Sequence, residues 1–189
     1  MTHTQPSYLN HHFLLAMPHM ADPRFVHSLV YMCEHSEDGA MGIVVNQLSG
    51  LNLHDILEQT APDVDVPPPV GLRPVYNGGP IHAERGFVLH DGDAQWEASL
   101  DLGPLRLTTS RDILVDMANG GGPQHSLVAL GYAGWEAGQL DQELTENCWL
   151  SVPADHRILF EVPSEQRLAT AAQILGIDLS LLTSQAGHA

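Results

Sequence analysis

The sequence predicts a fold of mixed α and β structure. Two observations carry that expectation. Short apolar stretches rich in Val, Ile and Leu are separated by Gly, Pro, Asn and Asp, as strands and turns are. Between them, several segments place apolar residues at helical spacing. With 43% hydrophobic residues in 189, the chain can build a core without staples. It reads as one domain over 1–189, with 1–7 a disordered tail.

Residues 12–17, HFLLAM, read as a strand stopped by Pro18, and HMADPRF as a turn, since Pro23 drives Asp22 out of the helical region. VHSLVYMCEH (26–35) alternates as a strand does. SEDGAMG predicts a hairpin loop turning on Asp38-Gly39, and IVVN (43–46) the returning strand, central because it is apolar throughout. GLNLHDILEQT starts a helix with Asn52 as N-cap and Leu53, Ile56 and Leu57 on one face. APDVDVPPPVGLRP holds five of the thirteen prolines and reads as a surface loop without helix. PVYNGGPI, RGFVLHD, WEASL and LRLTTS read as a meander of short strands. Ser110 is expected to cap the helix RDILVDMA, whose Ile113, Leu114 and Met117 form a core stripe, with Asn119 and Gly120 supplying a left-handed end. HSLVALGYAGW (125–135) reads as a strongly apolar strand and QLDQELTEN as an acidic helix with Leu140 and Leu144 inward. CWLSV and RILFEV read as two more strands. A last helix runs from about Pro163 to Leu175, with Leu168, Ala171, Ala172 and Leu175 inward and Gly176 as its stop. Asp178 caps a final half-turn, LSLL.

Charge narrows the function classes. Twenty-three carboxylates oppose seven cations, a net charge of −16, and every cation is an arginine. Without lysine there is no Schiff base and no P-loop lysine. Direct contact with DNA or anionic lipid is not expected, because both need a cationic patch. Cys33 and Cys148 are too few for a disulfide framework and read as buried thiols. No secretory signal and no run of about 18 apolar residues is visible, so a cytoplasmic protein with no membrane partner is expected.

Chemical motifs are sparse. The twelve histidines lack the spacing of a metal motif, so no metal and no cofactor is expected, although strand pairing could bring His12 and His35 together. Asp91 and Asp93, in HDGDAQ, read as a solvated turn. There is no G-x-S-x-G elbow. Of the glycine-rich places, NGGP (77–80), NGGGP (119–123) and GYAGWEAGQL (131–140), the last has the strand–glycine–helix order of a phosphate loop. Trp135 and Glu136 stand where small residues would admit the ligand, however, and Asp141, Glu143 and Glu146 repel an anion. The glycines are therefore expected to turn the chain and pack it tightly around Tyr132 and Trp135.

Taken together, HHFLLAMPHMADPRF, VYMCEHSEDGAMGIVVN, YNGGPIHAERGFVLH, LGYAGWEAGQLDQELTENCWL and LGIDLSLLTSQAGHA resemble the bacterial AlgH/YqgE family, from about Tyr8 to the C-terminus. After Asn46 that family tends to have Arg-Pro, where this chain has Gln47-Leu48. The resemblance implies an α+β fold, a mixed and largely antiparallel sheet curling into a barrel-like core with flanking helices. It also implies a cytosolic bacterial protein associated with regulating transcription of alginate synthesis, and it supplies no catalytic residues. Two function classes follow. One is a non-enzymatic regulatory module acting indirectly through a protein partner of basic character. The other is a small-molecule or nucleotide-binding protein or enzyme with a pocket near Tyr132, Trp135, Gln139 and the hairpin from His35 to Asn46. The first is preferred.

Overall fold

The computed structural model describes residues 8–181; the tail expected at 1–7 lies outside the described residues. A curled ten-stranded sheet forms a half-barrel with helices on both faces. Its strands are β1 (His12–Ala16), β2 (Leu29–Ser36), β3 (Gly39–Val44), β4 (Leu48–Asn52), β5 (Pro74–Asn77), β6 (Ile81–His90), β7 (Ser99–Asp101), β8 (Arg106–Thr108), β9 (Ser126–Glu136) and β10 (Trp149–Pro153). The main path runs β10-β1-β2-β3-β9-β6-β8-β7, with β4 on β5 and β5 on β9. All pairings are antiparallel except β5 with β9.

The helices are α1 (Leu53–Thr60), α2 (Pro68–Gly71), α3 (Asp112–Ala118), α4 (Gln139–Thr145), α5 (His156–Phe160) and α6 (Ser164–Ile174). Among the described residues, no helix is long and apolar enough to cross a membrane. Strand alternation divides the core. Phe13, Leu15, Leu29, Tyr31 and Ile43 point into the curl, where Ile158 and Leu159 of α5 and Ala171 and Ala172 of α6 meet them. Val30, Met32 and Val44 point the other way, onto Trp135, Trp149, Phe25 and Leu140 of α4. Further along the sheet, α1 and α3 cover Val75, Val88 and Val128. Both faces of the central strands are buried, which is why β2 and β9 read as nearly continuous apolar runs.

The capping box of α1 has the predicted Asn52, with Asp55 returning the bond. Several expectations are corrected. RILFEV is mostly helix: the Asp155 carboxylate accepts from the backbone of Arg157 and Ile158, a cap that starts α5. The proline-rich run contains α2, because prolines in a first turn remove only N–H groups that would lack helical partners. The hairpin turns on Glu37-Asp38, and Gly39 already pairs with Ser36. β4 was not expected. The meander fails, since β8 lies between β6 and β7. Ser110 does not cap α3; its hydroxyl donates to the Asp112 carboxylate. At that helix's end Gly120 alone is left-handed, Asn119 being at φ −86°. Pro163 precedes α6 instead of entering its first turn, and Leu175 is exposed. Cys33 is buried and Cys148 only half-buried.

Candidate functional site

Two backbone irregularities open a cleft at one end of the sheet. In β2 the register with β3 shifts between Met32 and Glu34, so Glu34 stands opposite Met41. In β6 the register with β9 shifts between Ile81 and Gly86, with His82 at φ +48°. The segment Gly78–Gly79 produces the second shift by crossing the chain at Gly131–Tyr132. The Gly78 N–H donates to the Leu130 carbonyl at 2.7 Å, and its carbonyl accepts from Val44 N at 2.8 Å, stitching β9 to β3 beyond the end of β5. A Cβ on Gly131, at φ +78°, would sit on the Gly79 carbonyl oxygen, and one on Gly79 on the Tyr132 carbonyl. The two glycine motifs are therefore halves of one close crossing.

The cleft has a volume of about 750 Å³. Met41, Phe87, Ile81 and Tyr132 form its apolar floor, and Glu34, Asp38, Glu136, Arg85 and Gln139 its polar edge. The Phe87 and His82 rings lie 5.6 and 5.9 Å from that of Tyr132, and the Arg85 guanidinium is 6.0 Å from the Phe87 ring. Ser36 also lines the cleft, and its hydroxyl oxygen accepts the Asp38 N–H at 3.1 Å within the turn.

Of the residues expected to form a site, Tyr132, Trp135 and Gln139 meet here. Tyr132 offers its ring. Trp135 belongs mainly to the core, stacked 6.3 Å from Phe25, with its indole N–H 3.4 Å from Glu143 Oε1, which also accepts from Trp149 at 3.1 Å. Gln139 accepts the Glu136 N–H at 2.9 Å and so fixes the rim where α4 begins.

His35 and Asn46 do not line the cleft. His35 is 3% exposed and its Nδ1 accepts from Leu9 N at 3.0 Å. Its Nε2 is 3.3 Å from Asp141 Oδ1, but without hydrogen-bond geometry, so this buried nitrogen has no hydrogen-bond partner. Asn46 accepts from Leu29 N and donates to the His27 carbonyl, both at 2.9 Å, locking the start of β2. Beside it, Gln47 donates to Ser28 Oγ at 2.8 Å. His12 is not brought to His35; its Nδ1 faces the Asn10 carbonyl. Glu34 and Arg85, two of the cleft's charged groups, were not anticipated, because only the bulges turn them towards it.

Among the described residues, two groups outside the cleft have metal-ligating side chains close together: Asp91 with His125 and His156, and His54 with Asp55 and Glu58. In the second, Asp55 is engaged in the capping box. In the first, Asp91 is well anchored, contrary to the solvated turn expected there. Burial opposes its ionisation, but hydrogen bonds from the His125 backbone and from both imidazoles outweigh that and hold its carboxyl below the usual range.

Comparison with known proteins places this architecture. Residues 13–180 match the family described as AlgH-like. The chain is 54% identical to the UPF0301 protein AlgH of Pseudomonas aeruginosa and 56% identical to a UPF0301 protein of Stutzerimonas stutzeri, each over 100% of both chains. Its fold matches the solution structure of the AlgH protein from Pseudomonas aeruginosa with a TM-score of 0.82, covering 100% of both chains. The crystal structure of protein DIP2367 from Corynebacterium diphtheriae, at 20% identity, matches with a TM-score of 0.68 over 97% of this chain and 94% of that one, a likeness of fold.

Proposed function

The chain belongs to the AlgH-like family, and from that premise we propose that it is a non-enzymatic interaction module of the cytoplasm. Its cleft receives a basic segment of a protein partner, and any effect on transcription passes through that partner. The observation that carries this reading is the composition of the cleft: three carboxylates, Glu34, Asp38 and Glu136, rim an aromatic floor with one guanidinium, Arg85, among them. A lysine or arginine side chain suits such a place, its aliphatic stem lying on Tyr132 and Met41 and its charge meeting the carboxylates. The net charge of −16 would steer a basic partner towards it.

Nucleic acid fits poorly. Of the seven arginines, Arg24 is paired with Asp22 at 2.7 Å, and Arg73, Arg106, Arg111 and Arg167 donate to backbone carbonyls. The volume of about 750 Å³ also favours a second reading, a small organic cation as ligand. For a nucleotide, three carboxylates against one arginine repel the phosphates.

The test is an NMR titration with an arginine- and lysine-rich peptide at about 150 mM salt, where exposed charges are largely screened. Shifts should concentrate on Met41, Tyr132, Gln139 and Arg85, and should weaken in Glu34→Gln/Glu136→Gln. Shifts spread evenly over the acidic surface and unchanged in that variant would refute the cleft. Saturable binding of promoter DNA in the range of about 10⁻⁸–10⁻¹¹ M would refute the indirect role.

A further inference from the structure

Spacing along the chain hides a cluster that the fold assembles. Asp91 and His125 are 34 residues apart, and Asp91 and His156 are 65 apart. Yet the ligand atoms of all three lie within 4.8 Å of one another. We propose that Asp91, His125 and His156 bind a late first-row divalent metal ion, with Zn²⁺ the expected occupant. The site lies at the opposite end of β6 from Ile81 and shares no residue with the cleft.

Each ligand is positioned by backbone. Asp91 follows the last residue of β6, and His125 precedes the first of β9. The Asp91 N–H donates to the His125 carbonyl at 3.2 Å, and the His125 N–H donates to Asp91 Oδ1 at 3.0 Å. That bridge uses one carboxylate oxygen and leaves Oδ2 facing two imidazole nitrogens, His125 Nδ1 at 2.7 Å and His156 Nε2 at 3.1 Å. His156 is the first residue of α5, whose start is fixed by the Asp155 cap. One turn later Phe160 packs against both imidazoles, with centroids 4.8 and 5.8 Å away, and the imidazoles themselves are 4.8 Å apart at 87°.

This geometry needs little change to hold an ion. Ligands about 2.0–2.1 Å from a tetrahedral zinc are roughly 3.4 Å from each other. From 2.7 and 3.1 Å, the two Asp–His separations would widen by about 0.7 and 0.3 Å, with each ring's proton moving to its other nitrogen so that a lone pair faces the ion. Two imidazoles and one carboxylate suit zinc, nickel, copper or cobalt, and magnesium and calcium poorly. Three protein ligands leave a fourth position for water. The side chains of Asp91, His125 and His156 are 20%, 30% and 47% exposed, so an ion can enter. Bound there, it would tie α5 to the ends of β6 and β9.

The experiment is calorimetric titration of ZnCl₂ into the tag-free full chain, with Co²⁺ absorption and thermal melting in parallel. One Zn²⁺ per chain is expected, with a raised melting temperature and Co²⁺ bands of four-coordinate intensity. His156→Gln and His125→Gln should weaken binding at least about tenfold. Asp91→Asn also removes a backbone tether, so His156→Gln, altering a half-exposed ring, decides the matter if the Asn variant fails to fold. His54→Gln should change nothing. The proposal is overturned if zinc gives no saturable heat up to about 1 mM, if both histidine variants bind like the parent, or if His54→Gln abolishes the binding.

Discussion

The crossing of the two glycine motifs can be weighed by comparing two alanine substitutions on the same strand–turn segment. Gly131 and Gly138 have nearly the same φ, +78° and +76°. Alanine in that left-handed region costs roughly 1–2 kcal/mol at either site. Their surroundings differ. A Cβ at Gly138 meets nothing within 4 Å, whereas one at Gly131 lands on the Gly79 carbonyl oxygen and 3.2 Å from the Ala83 Cα, both backbone atoms of a packed segment. Overpacking of that kind adds about 1–3 kcal/mol. Gly131→Ala should therefore lose about 2–5 kcal/mol and Gly138→Ala about 1–2, from the same sum of principles. In a chain of this size each kcal/mol lowers the melting temperature by about 2–4 °C. Urea denaturation with a shared slope gives the difference directly. Equal losses at the two sites would show that the close approach at residues 78–79 and 131–132 contributes nothing beyond backbone conformation, and the account of how the cleft is built would fall with it.

Burial pushes the Cys33 thiol up to about 12, while Cys148 is half-buried. A thiol reagent at pH 8 should label Cys148 and spare Cys33 until the protein is unfolded, and prompt labelling of both refutes the packing of β2. Deleting residues 163–189 removes Ala171, Ala172 and the 7%-exposed Arg167, which donates to the Val45 carbonyl at 2.6 Å. Cooperative thermal unfolding should disappear, and a truncated chain that still melts sharply would count against a single cooperative unit. His11 sits 2.7 Å from the Tyr31 hydroxyl, and desolvation, with the neighbouring His12 charge, holds its pKa below 6.5. Below pH 6.5 the unfolded chain binds more protons at this position than the folded one, so stability should fall as pH drops from 6.5 through the lowered folded value. Urea midpoints at pH 7.5 and 5.5 should show a smaller acid loss in His11→Gln than in the parent; identical losses remove the assignment.

Where local chemistry decides conformation, the sequence was legible. Asn52 and Asp55 start α1 as their side chains dictate, and Leu140 marks the buried face of α4. RILFEV shows the limit. Its β-prone residues suited a strand, but a carboxylate one residue before His156 was free to cap a helix, and Ile158 and Leu159 are both buried in the curl. Strand order was less accessible: β8 and β7 pair as a hairpin whichever of them meets β6, and only packing chooses. The cleft was half visible. Tyr132, Trp135 and Gln139 lie in one contiguous motif, whereas Glu34 and Arg85 reach it through bulges that alternation does not announce. The Asp91 cluster was invisible, because the β6–β9 pairing brings Asp91 to His125 and the packing of α5 then adds His156.

The central position of β9 has a consequence for how the protein is made. It supplies the edge to which β3, β5 and β6 all pair, yet it is synthesised after every one of them. At about 5–20 residues per second, the ribosome needs roughly 5–20 s to go from the end of β3 to the end of β9. Over that interval the strands β1, β2 and β3, apolar on both faces, have two edges waiting, that of β3 for β9 and that of β1 for β10. Such edges template aggregation. A fragment ending at residue 125 is expected to partition into aggregates or onto a holdase, and adding residues 126–136 should be the step at which β3, β5 and β6 acquire a common partner and protease resistance rises.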